Sequence, residues 1–547
     1  MTHHDTPPSG PGGEPVAADV LVSRPDIARL AGVKRPAVTN WERRYPEYPA
    51  PVGGDPELFR SGEVLAWLST RTIPANALLP DEPAGTTYGD RFRAGLPGGT
   101  AGGLLRLVER LAGPEADRLR GPMPLDRYLQ WLLFLVMVRI VEGAYGLAKA
   151  VAAFDMSDRD HDFPSGVFPR DLFTELSGQL DRTPTGSEQE ARAAFDHVLV
   201  VWRAAYAREG GAFLTPSSVG RVMAGALAAV RPGAVRVHDP YARTGELLVA
   251  HLDAVAVGGG GPSQVGGRVP GPEERMVAGW NLRVHHGRAV AFGEGPVTPA
   301  LDDADPPGAF DVLLTNPPFG RLLEDVAPPS YWTYGPVRRT EFDWLQYAVS
   351  RLAPDGRAAV LMPAGAASNT GAAEKVRGGL VEAGVVECVI ALPAGLFTLT
   401  AVKTHIWLLR APGSGGTPVP APEVLFVAGE HLGHQVSRTQ QALSDDDVAR
   451  LVGEYVSWHE ARESGAPFPG TPGLSRSVPV PDIVAHGHGL DPVSWIRPPG
   501  PAQGGKEAGT VDFRDRLDRL TEEIEALHKR AREADAEAAR RLRRYGL

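Results

Sequence analysis

The apolar run 310–315 is followed directly by Asn316-Pro317-Pro318-Phe319. An asparagine side-chain carbonyl can accept a hydrogen bond from an NH₂ group, and a proline backbone offers a carbonyl acceptor but no N–H. Phe319 adds a ring face on which a flat substrate can stack. An amino group held between two acceptors directs its nitrogen lone pair outward. The motif therefore predicts methyl transfer onto an aromatic or amide nitrogen, with a simple turn after a buried strand as the alternative.

A second motif, from Val237 to Leu248, has the pattern of a strand, a turn and the start of a helix. It contains Asp239-Pro240 and Thr244-Gly245, and Phe213-Leu214-Thr215-Pro216 precedes it. A turn at the carboxyl end of a parallel strand is where doubly wound sheets bind nucleotides, because helix N-terminal N–H groups face the ligand there. This turn is therefore a candidate cofactor site.

The elements that must position these motifs alternate between strand-like and helical patterns from about 211 to 410, which predicts a parallel α/β sheet. A further strand and a helix are expected in an extension over 413–500. The Gly-rich stretch Gly258–Gly271 is predicted to be a flexible loop. The predicted strands are 236–239, 310–314, 357–362, 386–392, 404–409 and 423–427, and the predicted helix of the extension is 445–460.

Residues 20–72 have helix-turn-helix spacing. Ser23 is a candidate N-cap of the first helix, Gly32 ends that helix, and Pro36 lies in the first turn of the second. A small wing and a third helix are expected over 53–68. The second helix carries side chains suited to base edges or phosphates, and its candidate DNA-binding residues are Arg35, Thr39, Asn40, Arg43 and Arg44. The unit resembles excisionase-like and MerR-like winged helices, and a helical hairpin for protein contacts is the alternative.

The remaining segments complete the predicted organisation. Residues 1–19 are polar and rich in Gly and Pro, which predicts a disordered lead, and residues 90–205 have a helical pattern. Residues 206–412 are the α/β domain. Over 511–547, apolar residues recur at steps of four and three, which is coiled-coil spacing and predicts a docking helix.

Composition limits the class of protein. The single cysteine, Cys388, excludes intrachain disulfides and Cys-rich metal sites, and its apolar neighbours predict a buried strand position. A net charge of −10 argues against a chain that wraps nucleic acid over its whole surface, so nucleic-acid contacts must be local or shared with a partner. No apolar run approaches membrane-spanning length and the N-terminus lacks a secretory pattern, so we expect a soluble cytoplasmic protein.

Taken together with 342–345, 352–363 and 390–397, the motifs resemble adenine-specific DNA methyltransferases. More closely, the chain resembles the methylation subunit of type I restriction–modification systems, over roughly residues 100 to 500. This resemblance implies a Rossmann-like S-adenosylmethionine-dependent methyltransferase sheet. It implies methyl transfer to the exocyclic amino group of an adenine flipped out of double-stranded DNA, as part of a restriction–modification or phage-defence system.

The resemblance also implies roles for individual residues. Asn316 and the Pro317 carbonyl would hold the adenine amino group and Phe319 would stack on its ring, with Pro318 completing the catalytic set. The implied cofactor-binding residues are Phe213, Thr215, Pro216, Asp239, Pro240, Thr244, Gly245 and Glu294. No metal is expected, because the sulfonium is already an activated leaving group. The implied partners are DNA, a specificity subunit and, in addition, a restriction subunit, with the heptads and residues 478–495 as the docking surface.

Three features depart from the family's pattern. In the turn, which usually reads Asp-Pro-Ala-Cys-Gly-Thr-Gly-Gly, Arg243 and Glu246 replace two glycines, and glycine permits close backbone approach and positive φ. An arginine there either crowds the methionine carboxylate or pairs with it. The acid expected to bind the ribose hydroxyls is missing, with Glu273 and Glu274 as candidates. Gly293-Glu294 replaces the family's Gly-Asp near the cofactor adenine.

Two alternative functions stay open on the sequence. A catalytically weakened DNA-binding regulator on a methyltransferase scaffold is favoured by Arg243 and by the missing ribose acid. A methyltransferase acting on RNA or protein nitrogen is compatible with the Asn-Pro-Pro motif, which also serves those substrates. The element Phe213-Leu214-Thr215-Pro216, the helical domain before it and the long C-terminal tail favour DNA.

Overall fold

The computed structural model describes residues 21–496, apart from gaps at 54–56, 75–76, 78–84, 96–102, 156–162, 165, 209–214, 263, 296–297, 302–304, 324–326, 398–401, 414–421 and 438–439. The chain divides into two units, 1–496 and 497–547. The predicted disordered lead and the predicted coiled-coil helix both lie outside the described residues. None of the described helices combines the length and apolar character that crossing a bilayer requires.

Four helices and a two-stranded sheet form the N-terminal region. The elements are β1 (Leu21–Ser23), α1 (Arg24–Leu30), α2 (Arg35–Arg44), β2 (Leu58–Arg60), α3 (Ser61–Ser69) and α4 (Tyr88–Gly95). The Ser23 hydroxyl accepts from the Asp26 N–H at 3.4 Å while the Asp26 carboxylate accepts from the Ser23 N–H at 3.2 Å, which is a capping box. The predicted N-cap and the two predicted helices are therefore present, and Gly32 follows α1 with φ +66°.

The next region is helical, in agreement with its pattern. Its elements are α5 (Gly103–Ala112), α6 (Ala116–Arg120), α7 (Leu125–Val141), α8 (Gly143–Asp155), α9 (Arg170–Asp181) and α10 (Glu188–Arg208). Helix α7 is buried continuously from Tyr128 to Val138. A helix that is apolar on all sides belongs in the centre of a helical layer, where its neighbours cover every face.

The remaining elements build the sheet and its covering helices. The strands are β3 (Arg236–Asp239), β4 (Gln264–Val269), β5 (Phe292–Glu294), β6 (Phe310–Thr315), β7 (Leu352–Pro363), β8 (Val386–Ala391), β9 (Thr404–Arg410), β10 (Glu423–Ala428), β11 (His434–Gln435), β12 (Gln441–Ala442) and β13 (Ser475–Pro479). The helices are α11 (Ser217–Val230), α12 (Glu246–Ala256), α13 (Pro272–His286), α14 (Thr340–Arg351), α15 (Ala372–Glu382), α16 (Asp445–Ser464), α17 (Val480–Ala485) and α18 (Pro492–Trp495).

Nine of these strands form one sheet in the order β13-β10-β8-β9-β7-β6-β3-β4-β5. Helices α11, α12 and α16 contribute to the core cluster on one face, and α14, α15 and α17 to that on the other. Helix α13 contacts both the sheet core, through Leu282, and the helical layer, through Trp280. Through this helix, the helical region is joined to the sheet next to β4.

The predicted parallel sheet is in fact mixed. Strand β9 pairs antiparallel with both β7 and β8, and β13 pairs antiparallel with β10, while the other pairs are parallel. Strand β9 follows β8 with no described helix between them, and strands joined without a crossover helix pair antiparallel. Each of the six predicted strands lies within or overlaps an observed one, and Cys388 is buried in β8.

The prediction of a flexible loop over Gly258–Gly271 is wrong for residues 264–269, which form β4 between β3 and β5. A Cβ at Gly267 would lie 2.7 Å from the Asp239 carbonyl oxygen and 3.0 Å from the Ala242 Cβ. Glycine is therefore required where the strand approaches the turn after β3. Because β4 contains two glycines, a prediction based on the pattern of apolar side chains does not detect this strand.

Candidate active site

The two predicted motifs meet at one edge of the sheet. Strands β3 and β6 are parallel neighbours, with His238 opposite Leu313, so their carboxyl ends lie side by side. Strands β4 and β5 extend the sheet on one side and β7 on the other, which makes this the topological switch point where α/β sheets bind ligands. A cavity of about 760 Å³ opens there and is lined by both the Asn316 motif and Arg243.

Asn316 is buried at the end of β6, and its amide orientation is set by Thr215. The Asn316 Nδ2 donates to the Thr215 Oγ1 at 3.0 Å. Because the nitrogen is used as a donor, the amide oxygen Oδ1 is the atom suited to accept from an amino group. Pro317 is buried beside it, while Pro318 and Phe319 are half-buried at the cavity wall.

The start of α14 holds the loop that carries this motif. The Thr340 hydroxyl donates to the Pro318 carbonyl at 3.0 Å, and the Gly320 N–H donates to the Glu341 carboxylate at 3.0 Å. Gly320 has φ +72°, a conformation that favours glycine. The loop is therefore fixed in place by the protein itself.

The turn after β3 is held from two sides. The Asp239 Oδ1 accepts from the Tyr241 N–H at 3.0 Å, and the Asn281 side chain, from α13, donates to the Thr244 carbonyl at 2.9 Å. Gly245 has φ +72° and begins α12 as its N-cap. Burial raises the pKa of Asp239 to about 8, and the charge of Glu246 adds to that shift.

The Glu246 carboxylate accepts hydrogen bonds from three donors at and beside the turn. It accepts from the Thr244 N–H at 3.2 Å, the Thr244 hydroxyl at 2.7 Å and the Thr215 N–H at 3.2 Å. Arg203 lies 3.6 Å away as a partly buried ionic partner and also donates to the Thr215 carbonyl at 2.8 Å. Burial alone would raise the pKa of Glu246, but the charges of Arg203 and Arg243 hold it below its usual value.

Arg243 is buried in an unusual backbone conformation. Its φ is +45°, and only 3% of its surface is exposed. The guanidinium carbon lies 5.0 Å from the centre of the Tyr241 ring. Its Nε and Nη1 atoms have no hydrogen-bond partner among the described residues. Burial lowers its pKa.

Of the two candidate ribose acids, only Glu274 lines the cavity. It is buried in the first turn of α13, and its carboxylate accepts from the Tyr206 hydroxyl at 2.5 Å. Glu273 instead lies 3.6 Å from Arg127, which is on α7 of the helical region. The sequence signal for Glu274 is its position just after the second strand, and this signal is weak because the glycines of β4 obscure that strand.

The other predicted site residues lie in several places. Thr215, Pro240 and Thr244 lie in the buried network around the two motifs, and Pro216 is the N-cap of α11. Glu294 is exposed, its carboxylate pairs with Arg275, and it does not line the described cavity. Phe213 lies outside the described residues. The candidate DNA-binding residues are all exposed on α2: Arg35, Thr39, Asn40, Arg43 and Arg44.

The residues of the cavity, together with Asp239 in the turn after β3, fit an S-adenosyl amino acid. The buried Asp239 carboxylate suits an ammonium group, and the cavity-lining Glu274 carboxylate suits a diol. The unpartnered nitrogens of Arg243 are suited to an anion. In the described part of the chain, no cluster of three or more His, Cys, Asp and Glu side chains is arranged to hold a metal ion.

The chain is similar in sequence to known methylases. The family described as N-6 DNA Methylase matches residues 192–499, more than half of the chain. The HindI type I restriction enzyme methylase subunit of Haemophilus influenzae is 24% identical over 73% of this chain and 92% of that protein. The MjaIX methylase subunit of Methanocaldococcus jannaschii is 22% identical over 59% of each chain.

Solved structures show the same fold. The type I restriction–modification methyltransferase subunit from Streptococcus thermophilus aligns with a TM-score of 0.51 at 18% identity, covering 70% of this chain and 83% of that one. A chain from a structural study of type I restriction–modification assembly aligns with a TM-score of 0.51 at 20% identity, covering 79% of this chain and 97% of that one. The chain thus shares its fold with these two structures.

Proposed function

Since the chain belongs to the N-6 DNA methylase family, we propose that it transfers a methyl group from S-adenosylmethionine to the exocyclic amino group of adenine in DNA, within a restriction–modification system. The observation that carries this proposal is the shared cavity. The Asn316 motif and the turn after β3 open into the same space, so an amino acceptor and a methyl donor can be held next to each other.

On the acceptor side, Asn316 and Pro317 act as the two hydrogen-bond acceptors. The Asn316 Oδ1 and the Pro317 carbonyl accept the two N–H bonds of the adenine amino group, and Phe319 stacks on the ring. Both hydrogen bonds draw the amino group out of conjugation and direct its lone pair at the methyl donor. The adenine must leave the duplex to reach this buried position.

On the cofactor side, S-adenosylmethionine supplies a methyl group already activated on a sulfonium. In this proposal, Asp239 accepts from the ammonium group of the methionine portion, and Glu274 accepts from the ribose hydroxyls. Thr215 links the two sides, because its hydroxyl accepts from Asn316 while its N–H donates to Glu246. The chemistry is mainly positioning, so the protein's task is to align the amino nitrogen with the methyl group.

The test of this function is methyl incorporation by the wild type and by Asn316→Ala, with the chain supplied with the products of its neighbouring genes. We expect N6-methyladenine in DNA, detected by mass spectrometry of digested nucleosides. We expect a loss of roughly 100-fold or more in Asn316→Ala, because the amino group is no longer positioned. Calorimetric binding of S-adenosylmethionine should be retained in the variant. Label in RNA or protein rather than in DNA would contradict the proposal.

We further propose that a specificity subunit supplies the DNA sequence recognition. The Haemophilus and Methanocaldococcus relatives are named as methylase subunits, and the chain's net charge of −10 suits a protein that shares its DNA contacts with a partner. The proposed docking segments are 478–495 and 511–547. Copurification of the chain with the product of a neighbouring specificity gene tests this assembly.

A second proposal concerns α2, whose exposed face carries the candidate DNA-binding residues. Val38 is buried and Trp41 packs into the N-terminal core, so the opposite face is left to solvent. That face carries three arginines, the charge that phosphate contacts require. We expect the double variant Arg43→Ala, Arg44→Ala to weaken DNA binding and to lower the salt dependence by roughly two counterions. Unchanged salt dependence would favour the protein-contact alternative.

A further inference from the structure

The turn after β3 has few backbone donors left for a ligand. Its N–H groups donate within the protein: Tyr241 to Asp239 Oδ1 at 3.0 Å, Ala242 to the Arg268 carbonyl at 2.7 Å, Thr244 to Glu246 Oε2 at 3.2 Å and Gly245 to the Ala242 carbonyl at 2.6 Å. The Thr215 N–H, from the neighbouring segment, also donates to Glu246. A carboxylate entering this site therefore finds these five N–H groups already used by the protein.

Glu246 accepts from two of these backbone donors, the Thr244 and Thr215 N–H groups. Its carboxylate accepts three hydrogen bonds and lies beside Arg203, so it is itself the anion that the donors of the turn bind. Glu246 stands where the family's turn usually has its last glycine. A glycine has no side chain with which to occupy these donors.

Arg243 has side-chain donors that can bind an anion at this turn. It lines the cavity, is 3% exposed, and has Nε and Nη1 without a partner among the described residues. Burying a guanidinium with unpaired nitrogens is unfavourable unless an anion is bound to it. The nearby carboxylates of Asp239 and Glu246 accept from other groups. The guanidinium is therefore directed toward a ligand that brings its own negative charge.

We propose that Arg243 binds the α-carboxylate of the methionine portion of S-adenosylmethionine, in place of backbone donors that Glu246 occupies. The two departures from the family's turn then compensate for each other. Glu246 occupies backbone donors that could bind a carboxylate, and Arg243 provides a guanidinium that binds it instead. Asp239, four residues earlier, offers carboxyl oxygens that can accept from an ammonium group, so the pair suits the two polar ends of an amino acid. The inference rests on the proposed function, because it assigns a residue to that function's cofactor.

The test compares S-adenosylmethionine with its decarboxylated analogue by titration calorimetry. The wild type should bind the intact cofactor about 10- to 100-fold more tightly than the analogue, as expected for a charge-assisted hydrogen-bonded pair. Arg243→Gln should bind the two compounds equally, and Arg243→Lys should retain part of the preference. Arg450→Gln, at an exposed position of α16, is the matched control and should behave as the wild type.

The variant Arg243→Gly provides a second test, in which both the melting temperature and the cofactor affinity are measured. Glycine tolerates the φ of +45° that strains an arginine, so this variant should melt at a higher temperature than the wild type. It should nevertheless bind S-adenosylmethionine about 10- to 100-fold more weakly. Equal or tighter binding by Arg243→Gly would show that the arginine only crowds the site.

The outcomes separate this inference from the proposed function. If the wild type binds both compounds equally and still methylates DNA, the role of Arg243 is wrong and the function stands. If the wild type prefers the intact cofactor through Arg243 but methylates no DNA, the function is wrong and the carboxylate site stands. If the wild type binds neither compound, both are wrong. Because the wild type alone is used to compare the two compounds, this result does not depend on whether any variant folds.

Discussion

At the scale of single residues, Thr215 is where the acceptor pocket and the cofactor turn are joined. Its hydroxyl accepts from Asn316 at 3.0 Å, and its N–H donates to Glu246 at 3.2 Å. A valine would keep the shape of the side chain but leave the Asn316 amide nitrogen without this partner. An unpaired buried donor costs about 1–3 kcal/mol. Asn316 then loses the hydrogen bond that identifies its Nδ2 as a donor to Thr215.

We therefore predict that Thr215→Val lowers kcat for DNA methylation by roughly 10-fold or more, because a loss of about 1.4 kcal/mol in positioning is tenfold in rate. Binding of S-adenosylmethionine should change much less. Thr215→Ser, which keeps the hydroxyl, is the matched control and should stay close to the wild type. Steady-state kinetics on DNA and calorimetry with the cofactor check the two expectations. Equal losses in both variants would assign the effect to packing instead.

Asp239 predicts a pH dependence of stability. Burial raises its pKa from 3.8 to about 8; Glu246 adds to that shift and Arg243 opposes it. The folded protein thus holds a proton that the unfolded chain releases near pH 4. The contribution of Asp239 to the free energy of unfolding is then fully present below about pH 4 and is lost as the pH rises through about 8. Asp239→Asn removes this titration.

We predict that, without cofactor, the melting temperature of Asp239→Asn rises relative to the wild type as the pH increases from 5 to 9. The difference between the two proteins is the informative quantity, because other groups titrate in both. Differential scanning fluorimetry across this pH range measures it. Parallel melting curves at every pH would mean that Asp239 is ionised at neutral pH in the folded protein.

At the scale of elements, β4 shows how one strand shapes the cofactor turn. Gly267 lies so close to the turn that a Cβ would be 2.7 Å from the Asp239 carbonyl oxygen, whereas a Cβ at Gly266 would have its nearest neighbour, His238, at 3.8 Å. A Cβ is therefore too close to the turn at Gly267 but has room at the adjacent Gly266. The difference arises because successive residues of a strand face opposite sides of the sheet.

We predict that Gly267→Ala destabilises the protein by about 1–3 kcal/mol, the usual cost of overpacking. It should also weaken cofactor binding, because β4 must shift away from the turn. Gly266→Ala should be neutral or slightly stabilising, since alanine restricts the unfolded chain more than glycine does. Denaturant unfolding and calorimetry on the pair provide the measurement. Equal destabilisation would locate the effect in the strand rather than in its contact with the turn.

The sequence predicted elements well where the apolar pattern was strong, as in β6 and β8. It also predicted the capping box partner Ser23, because capping is local chemistry. It missed β4, whose glycines leave no side-chain pattern to interpret. It also predicted a parallel direction for β9, since periodicity shows that a strand is buried and not how the strand runs.

At the scale of the whole molecule, the segment after the predicted α/β domain is part of the sheet. Strand β10 pairs parallel with β8 and antiparallel with β13. Tyr455, on α16, donates to the buried Glu387 carboxylate at 2.8 Å, and Arg357 lies 2.7 Å from the same carboxylate. Residues 423–479 are therefore needed for the fold itself, and a docking role is left to the segments beyond β13.

We predict that a chain ending at residue 496 keeps the melting temperature and the cofactor affinity of the full chain. This end matches the boundary between the two units, 1–496 and 497–547. The shortened chain should fail to copurify with the specificity subunit if the heptads dock it, as proposed. A chain ending at residue 412 is the contrasting variant and should not fold, because it lacks β10 and β13. Retained copurification at residue 496 would move the docking surface to 478–495.

The sequence by itself was enough to predict the acceptor pocket and the turn proposed to bind the cofactor, because each is carried by residues contiguous in the chain. Only the tertiary structure decided which distant groups use the donors of that turn. It placed Glu274 rather than Glu273 at the cavity, brought the Thr244 and Thr215 N–H groups to Glu246, and left Nε and Nη1 of Arg243 without a hydrogen-bond partner among the described residues. Hydrogen-bond partners depend on which strands and helices pack together in the fold, and the local sequence does not specify this packing.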